Sequence, residues 1–154
     1  MVSLFKKQRV LYIGIILIVL ISAFKEQSED PLFSLAVKVE NLSNEKGVVV
    51  IALYTREDSF PDEHYEKYYQ ISTNVISNRS ASYTFNNLPT GKYAINVLHD
   101  ENNDGEIDKG LVLPKEGIGF SNYHSIGIFN KPTFNKASFN IRSDTNIKVK
   151  VIYF

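Results

Sequence analysis

The chain contains no cysteine and no tryptophan, and a single methionine. Without thiols there can be no disulfide scaffold, thiolate zinc site, iron–sulfur cluster or cysteine nucleophile. It also lacks an excess of either charge: 17 basic residues face 17 acidic ones among 154. A formal charge of zero argues against nucleic acid as a partner, because phosphate recognition needs a basic face. A 44% apolar and 22% charged composition is ordinary for a folded globular chain and excludes wholesale disorder. The length suits one domain, since two would each approach the lower limit for an independent core.

The first stretch differs from the rest. Lys6, Lys7 and Arg9 precede an apolar run, Val10 to Ile21, followed by Ser22, Ala23 and Phe24. A basic head, an apolar segment and a small residue at its end form the pattern of a secretory signal. Residues 1–23 are therefore expected to be a signal peptide cleaved after Ala23. The competing reading is a retained membrane anchor over residues 10–24, which as a helix would span about 22 Å against a hydrocarbon core of about 30 Å. With no cysteine at the end of the run, lipid attachment of the lipoprotein kind is excluded. Loss of residues 1–23 would remove three of the 17 basic side chains and no acidic one, leaving 14 against 17. Residues 24–33 are polar, contain Pro31 and read as a linker. The expected location is export to the periplasm, the cell surface or the medium, with membrane contact only through the N-terminal segment.

From residue 34 to 154 the dominant period is two. Leu35, Val37 and Val39 alternate with Ala36 and Lys38, and Val48 to Tyr54 is an unbroken apolar run of the kind buried on both faces. Further alternating runs centre on Ile71–Val75, Tyr83–Phe85, Tyr93–Val97, Phe139–Ile141 and Ile147–Val151. Turn residues separate them: Asn44–Gly47, Asn78–Ser80, Leu88–Gly91 and Ser143–Asn146, the last expected to close a hairpin. The pattern predicts an all-β, seven-stranded antiparallel immunoglobulin-like sandwich, preceded by the N-terminal signal or membrane helix. Glu57–Tyr69 has room for one or two helical turns. Tyr93, two residues past a turn glycine, is placed either to bond back to the adjoining corner or to serve as an ordinary core aromatic.

One loop carries candidate chemistry. After Tyr93–Leu98 the chain reads His99-Asp100-Glu101-Asn102-Asn103-Asp104-Gly105-Glu106-Ile107-Asp108. Oxygen-bearing side chains at alternate positions, then glycine, match the first nine places of a calcium loop. A hard cation needs six to eight oxygens, which a tight loop supplies by turning alternate side chains inward. The expected ligands are Asp100, Asn102 and Asp104, the Glu106 backbone carbonyl, and Asp108 directly or through water. The twelfth place holds Leu111 rather than a bidentate glutamate, so a further ligand must come from elsewhere, and Glu116 is the candidate. A solvated Asp/Asn turn without an ion is the alternative.

Two other readings remain. Gly117–Tyr123, with Phe120 and Asn122, would frame a groove for carbohydrate or peptide, or fold over the sandwich end with Phe120 as a plug. His99 and His124, with nearby carboxylates, would build a metal-dependent hydrolase; alternatively His99, which shares parity with Ile95 and Val97, caps the core. No nucleophile elbow, phosphate loop or dinucleotide fingerprint is present. The sequence thus favours a non-enzymatic protein whose partner is an envelope protein or a glycan.

An ordered set of segments runs through the chain: Gly47 through Tyr54, Phe60-Pro61, Phe85 through Ala94, His99-Asp100-Glu101-Asn102, Pro114 through Asn122, and Pro132-Thr133-Phe134. In these the chain resembles the bacterial family termed domain of unknown function twenty-one forty-one. The resemblance implies an exported β-sandwich, and its Leu-Pro-x-Gly-x-Tyr turn is similar to that of transthyretin-like and carboxypeptidase-regulatory domains. It implies no reaction. One departure is Asn130-Lys131-Pro132, where relatives often carry glycine after the phenylalanine.

Overall fold

The computed structural model describes residues 30–108, 110, 114–127 and 129–154. The expected signal or anchor over residues 1–23, the linker as far as residue 29, and Leu111 lie outside them. Among the described residues, no helix is long and apolar enough to cross a membrane. Residues Pro31–Phe154 form one compact unit.

Among the described residues, eight strands build two sheets. They are β1 (Leu32–Glu40), β2 (Val48–Tyr54), β3 (Gln70–Asn74), β4 (Ala81–Pro89), β5 (Gly91–Asp100), β6 (Gly117–Phe120), β7 (Phe139–Ile141) and β8 (Thr145–Lys150). One sheet runs β4-β1-β8; the other runs β3-β2-β5-β6, with β7 paired to the start of β5. The all-β sandwich is as the alternation predicts, with three corrections. Gly117–Phe120 is a strand rather than a loop, raising the count from seven to eight. The β1–β8 pair is parallel, Val37 lying beside Ile147, so the first sheet is mixed. Finally, Ser143–Asn146 does not close a hairpin: β7 pairs with β5 and β8 with β1, so this turn carries the chain between sheets.

Parity assigns side chains to two cores. Val49, Ile51 and Leu53 of β2 face the other sheet, where Leu35, Val37 and Val39 of β1 meet them. The intervening Val50, Ala52 and Tyr54 point outward, yet they are buried too, under a layer that includes Phe60, Tyr65, Phe120, Tyr123, Phe134 and Ala137. Phe60 is the hub of that layer: its ring meets Tyr54 and Phe120 edge-on at 5.5 Å each and Phe134 at 6.2 Å. Each such contact contributes about 0.5–1.5 kcal/mol beyond area burial. Among the described residues, helix is confined to a 3₁₀ turn at Glu57–Ser59 and one short segment, α1 (Phe134–Ala137), whose Thr133 cap accepts from Lys136 N–H.

The Tyr93 hydroxyl donates to the Pro89 carbonyl at 2.8 Å, fixing the corner at which the chain leaves β4 for β5. Of the two readings for this tyrosine, the bond back to the corner is the observed one. β5 then runs through the middle of its sheet and is buried from Tyr93 to Asp100, which sets His99 and Asp100 at the rim. β6 returns beside it with Gly117 opposite His99. On β6 the outward Ile118 and Phe120 join the aromatic layer, while Gly117 faces Val151 and Tyr153 after β8 and Gly119 faces Val149 and Lys150 at the end of β8. A Cβ at Gly117 would collide with the Tyr153 ring and Val151, so only hydrogen fits.

Candidate functional site

The loop between β5 and β6 is tied at its base by two buried carboxylates. Asp100 is 2% exposed and Glu116 is 5% exposed. The register that pairs His99 with Gly117 puts these two residues next to each other, one position beyond the pair. The Asp100 oxygens accept the N–H groups of Asp104 at 3.2 Å and Gly105 at 3.0 Å, curling the loop over the strand end. Glu116 accepts from Glu101 N–H at 2.9 Å with one oxygen and from Asp108 N–H at 3.1 Å with the other. Lys115 N–H adds a bond to the Asp108 carbonyl at 2.8 Å. Gly105 sits at φ +80°, a left-handed conformation that glycine adopts without steric cost.

The outer half of the loop is exposed. Asn102 Oδ1 accepts from Asp104 N–H at 3.0 Å, and Asp104 Oδ1 accepts from Glu106 N–H at 2.9 Å. The Asn102 amide nitrogen donates to Asp104 Oδ2 at 2.8 Å and to Asp108 Oδ2 at 3.4 Å. Its partially positive end therefore stands between two carboxylates, where an acidic loop has most need of positive charge. Glu106 is exposed. The structure thus gathers Asp100, Asn102, Asp104, Asp108 and Glu116 into one hydrogen-bonded unit. Among the described residues, no three Asp, Glu or His side chains converge as a preformed metal cluster. The carboxylates turn instead toward backbone N–H groups and the Asn102 amide.

His99 is fully buried on the inner face of β5. Its Nδ1 lies 2.6 Å from the Tyr153 hydroxyl and its Nε2 lies 2.9 Å from the Lys46 carbonyl. A carbonyl only accepts, so Nε2 carries a proton and donates. Tyr153 Oη also accepts from Ser43 N–H at 3.0 Å. His99 thus caps the core, as its parity suggests, and joins the β1–β2 connection to the chain after β8. His124 is exposed and lies four residues beyond Phe120, past the opposite end of β6 from the Gly117 that faces His99. The two histidines are not brought together, which corrects the paired site considered from sequence.

Of the two readings of Gly117–Tyr123, the one in which Phe120 acts as a plug is the one observed. Residues 117–121 and Tyr123 are buried, and Phe120 is 4% exposed within the aromatic layer. Asn122 is exposed at φ +62°, and its amide donates to the Ala137 and Ser138 carbonyls at 3.1 Å each. Beside it lies a shallow depression of about 330 Å³, lined by Asn122, Tyr123, His124, Ser125, Asn130 and Lys136.

Sequence reasoning missed a buried polar cluster beneath the aromatic layer. Asn96, 1% exposed, accepts from the Tyr65 hydroxyl at 3.1 Å and donates to the Asp62 carbonyl at 3.0 Å. Asp62, 6% exposed, accepts from Lys67 N–H at 2.7 Å, His64 N–H at 3.2 Å and the Tyr54 hydroxyl at 3.4 Å. Burial, and then the negative charge of Asp62, push the Tyr54 phenol far above its ordinary range. Tyr65 is raised as well, first by burial and then by neighbouring groups that include Glu116. An Asn within the otherwise apolar run Tyr93–Leu98 is the available signal for this cluster.

Fold and loop together define a two-sheet β-sandwich whose central strand ends in an acidic loop pinned by buried carboxylates. The chain belongs to a bacterial family described as "Uncharacterized protein conserved in bacteria (DUF2141)", whose model matches residues 37–150. No curated protein and no solved structure matches it.

Proposed function

We propose that the protein is an exported, non-enzymatic β-sandwich that acts by binding or by structure in the cell envelope, and whose Asp100–Asp108 loop takes up calcium and is stiffened by it. One observation carries the calcium reading: Asp100 and Glu116 are buried side by side at the base of the loop. Among the described residues, neither has a Lys or Arg within ion-pair reach. Two buried negative charges balanced only by N–H dipoles are costly, and a divalent cation offsets that cost. The ligands would be Asp100, Asn102 and Asp104, the Glu106 carbonyl, Asp108 and Glu116, a set of hard oxygens suited to calcium. The cation would take the place now held by the Asn102 amide nitrogen between Asp104 and Asp108. Export rests on the basic-then-apolar pattern of residues 6–24, and the partner is proposed to be an envelope protein or a glycan.

The test is thermal unfolding of the full chain with calcium and with a chelator. For a site of about 10⁻⁴–10⁻³ M, about 10 mM calcium adds roughly 1.4–2.7 kcal/mol and raises the melting temperature by about 5–10 °C. The Asp100→Asn/Asp104→Asn variant should lose that response. A wild-type chain indifferent to the chelator contradicts the proposal.

A further inference from the structure

Phe129 is 100% exposed, more than any other large apolar side chain among the described residues. The turn that carries it is firmly held. Asn130 N–H donates to the Gly127 carbonyl at 3.0 Å, and the Asn130 amide donates to the Ser125 carbonyl at 2.8 Å. The chain beyond is fixed by Tyr123, whose ring is buried in the aromatic layer. Its hydroxyl donates to the Lys131 carbonyl at 3.1 Å and accepts from Thr133 N–H at 3.0 Å. An apolar ring is thus held out in water, where it gains nothing from burial.

The charge around this turn has one sign. From Gly117 to Ser143 the chain has no acidic residue, whereas Lys131, Lys136 and Arg142 are basic. Lys131, Lys136 and His124 are exposed. The shallow depression of about 330 Å³ beside the turn has His124, Ser125, Asn130 and Lys136 in its lining. The Lys136 ammonium reaches Asn130 Oδ1, a neutral group, at 3.2 Å. Where the segment meets a carboxylate, at Asn135 beside Glu57, Lys92 bonds to the same Asn135.

We propose that this turn docks on an anionic lipid bilayer. Phe129 enters between the headgroups, a lipid phosphate sits in the depression against Lys136 and Ser125, and Lys131 lies at headgroup level. Size and charge together favour a bilayer over a protein pocket. One aromatic side chain buries about 150–250 Å², far short of the roughly 800 Å² per partner of a stable protein interface. A bilayer asks for less: an apolar group below the headgroups and cations among them.

Fluorescence of the full chain tests this. Because the chain has no tryptophan, Phe129→Trp places its only indole on the turn, and vesicle binding by residues 10–24 does not register there. With vesicles of equal parts phosphatidylcholine and phosphatidylglycerol, the emission should shift to the blue and be quenched by bromine-labelled acyl chains. Phosphatidylcholine alone at the same concentration should leave it unshifted. Adding Lys131→Gln and Lys136→Gln should raise the lipid needed for half the shift about tenfold or more, with the melting temperature retained. Tyr68→Trp, at another exposed aromatic, should not respond. An equal response to uncharged vesicles, an equal response at position 68, or indifference to the two lysine substitutions would each overturn the proposal. No shift with any vesicle would overturn it as well and leave the turn to a protein pocket.

Discussion

Asp100 and Glu116 stand beside each other at the mouth of the β5–β6 hairpin, one residue beyond the His99–Gly117 pair, and both are buried. Sixteen positions apart in sequence, they are made neighbours by strand register, and between them they hold four backbone N–H groups of the loop. A glutamine at 116 keeps the shape but has only one accepting oxygen, leaving Glu101 or Asp108 N–H without its partner. Glu116→Gln should cost about 1–2 kcal/mol in urea unfolding without calcium and should also remove any calcium response. An unchanged unfolding midpoint would show that Glu116 does not anchor the loop.

The Tyr153 hydroxyl serves Ser43 N–H and His99 Nδ1 at once. Tyr153→Phe leaves both without that partner while preserving the ring that packs against Gly117. The expected loss is about 1–3 kcal/mol, read from denaturant unfolding. A loss no larger than that of an exposed tyrosine such as Tyr68→Phe would mean that the His99 contact contributes nothing.

At Gly117 an added methyl meets Tyr153 and Val151. Gly117→Ala should destabilise by about 1–3 kcal/mol through overpacking, whereas Gly127→Ala, with open space around it, should not. Equal midpoints for the two variants would contradict the close approach of the two sheet edges.

The buried phenols set an alkaline limit. Tyr54 and Tyr65 both have folded-state pKa values raised above the ordinary value of 10.0, chiefly by burial. Their neutral forms are retained in the fold, so the associated stability is fully present below pH 10 and is lost as pH climbs above it. Stability should therefore fall steeply on the alkaline side, and the steepness should lessen in Tyr65→Phe. A slope identical to wild type would remove Tyr65 from the account.

Much of the sandwich was readable because period two is a local signal. The β2 run is apolar at every position, and both of its faces are buried. β6 escaped notice because Gly117 and Gly119 resemble loop residues, although they alternate with Ile118 and Phe120 as a strand requires. The parallel β1–β8 pair and the crossing at Ser143–Asn146 depend on which distant strand a segment finds, and alternation does not encode that choice. The acidic loop is legible from spacing alone, and the missing twelfth-place carboxylate points to Glu116. Its arrival beside Asp100 needed the β5–β6 register. Asn96 lies 31 residues from Tyr65 and 34 from Asp62, and it meets them only when the connection after β2 folds over the sheet.

Calorimetric titration of the full chain with calcium tests the central claim most directly. The account predicts saturable heat with one ion per chain and a dissociation constant of about 10⁻⁴–10⁻³ M, absent in Asp100→Asn/Asp104→Asn. No heat beyond dilution at about 10 mM calcium, or the same heat in the double variant, would contradict it.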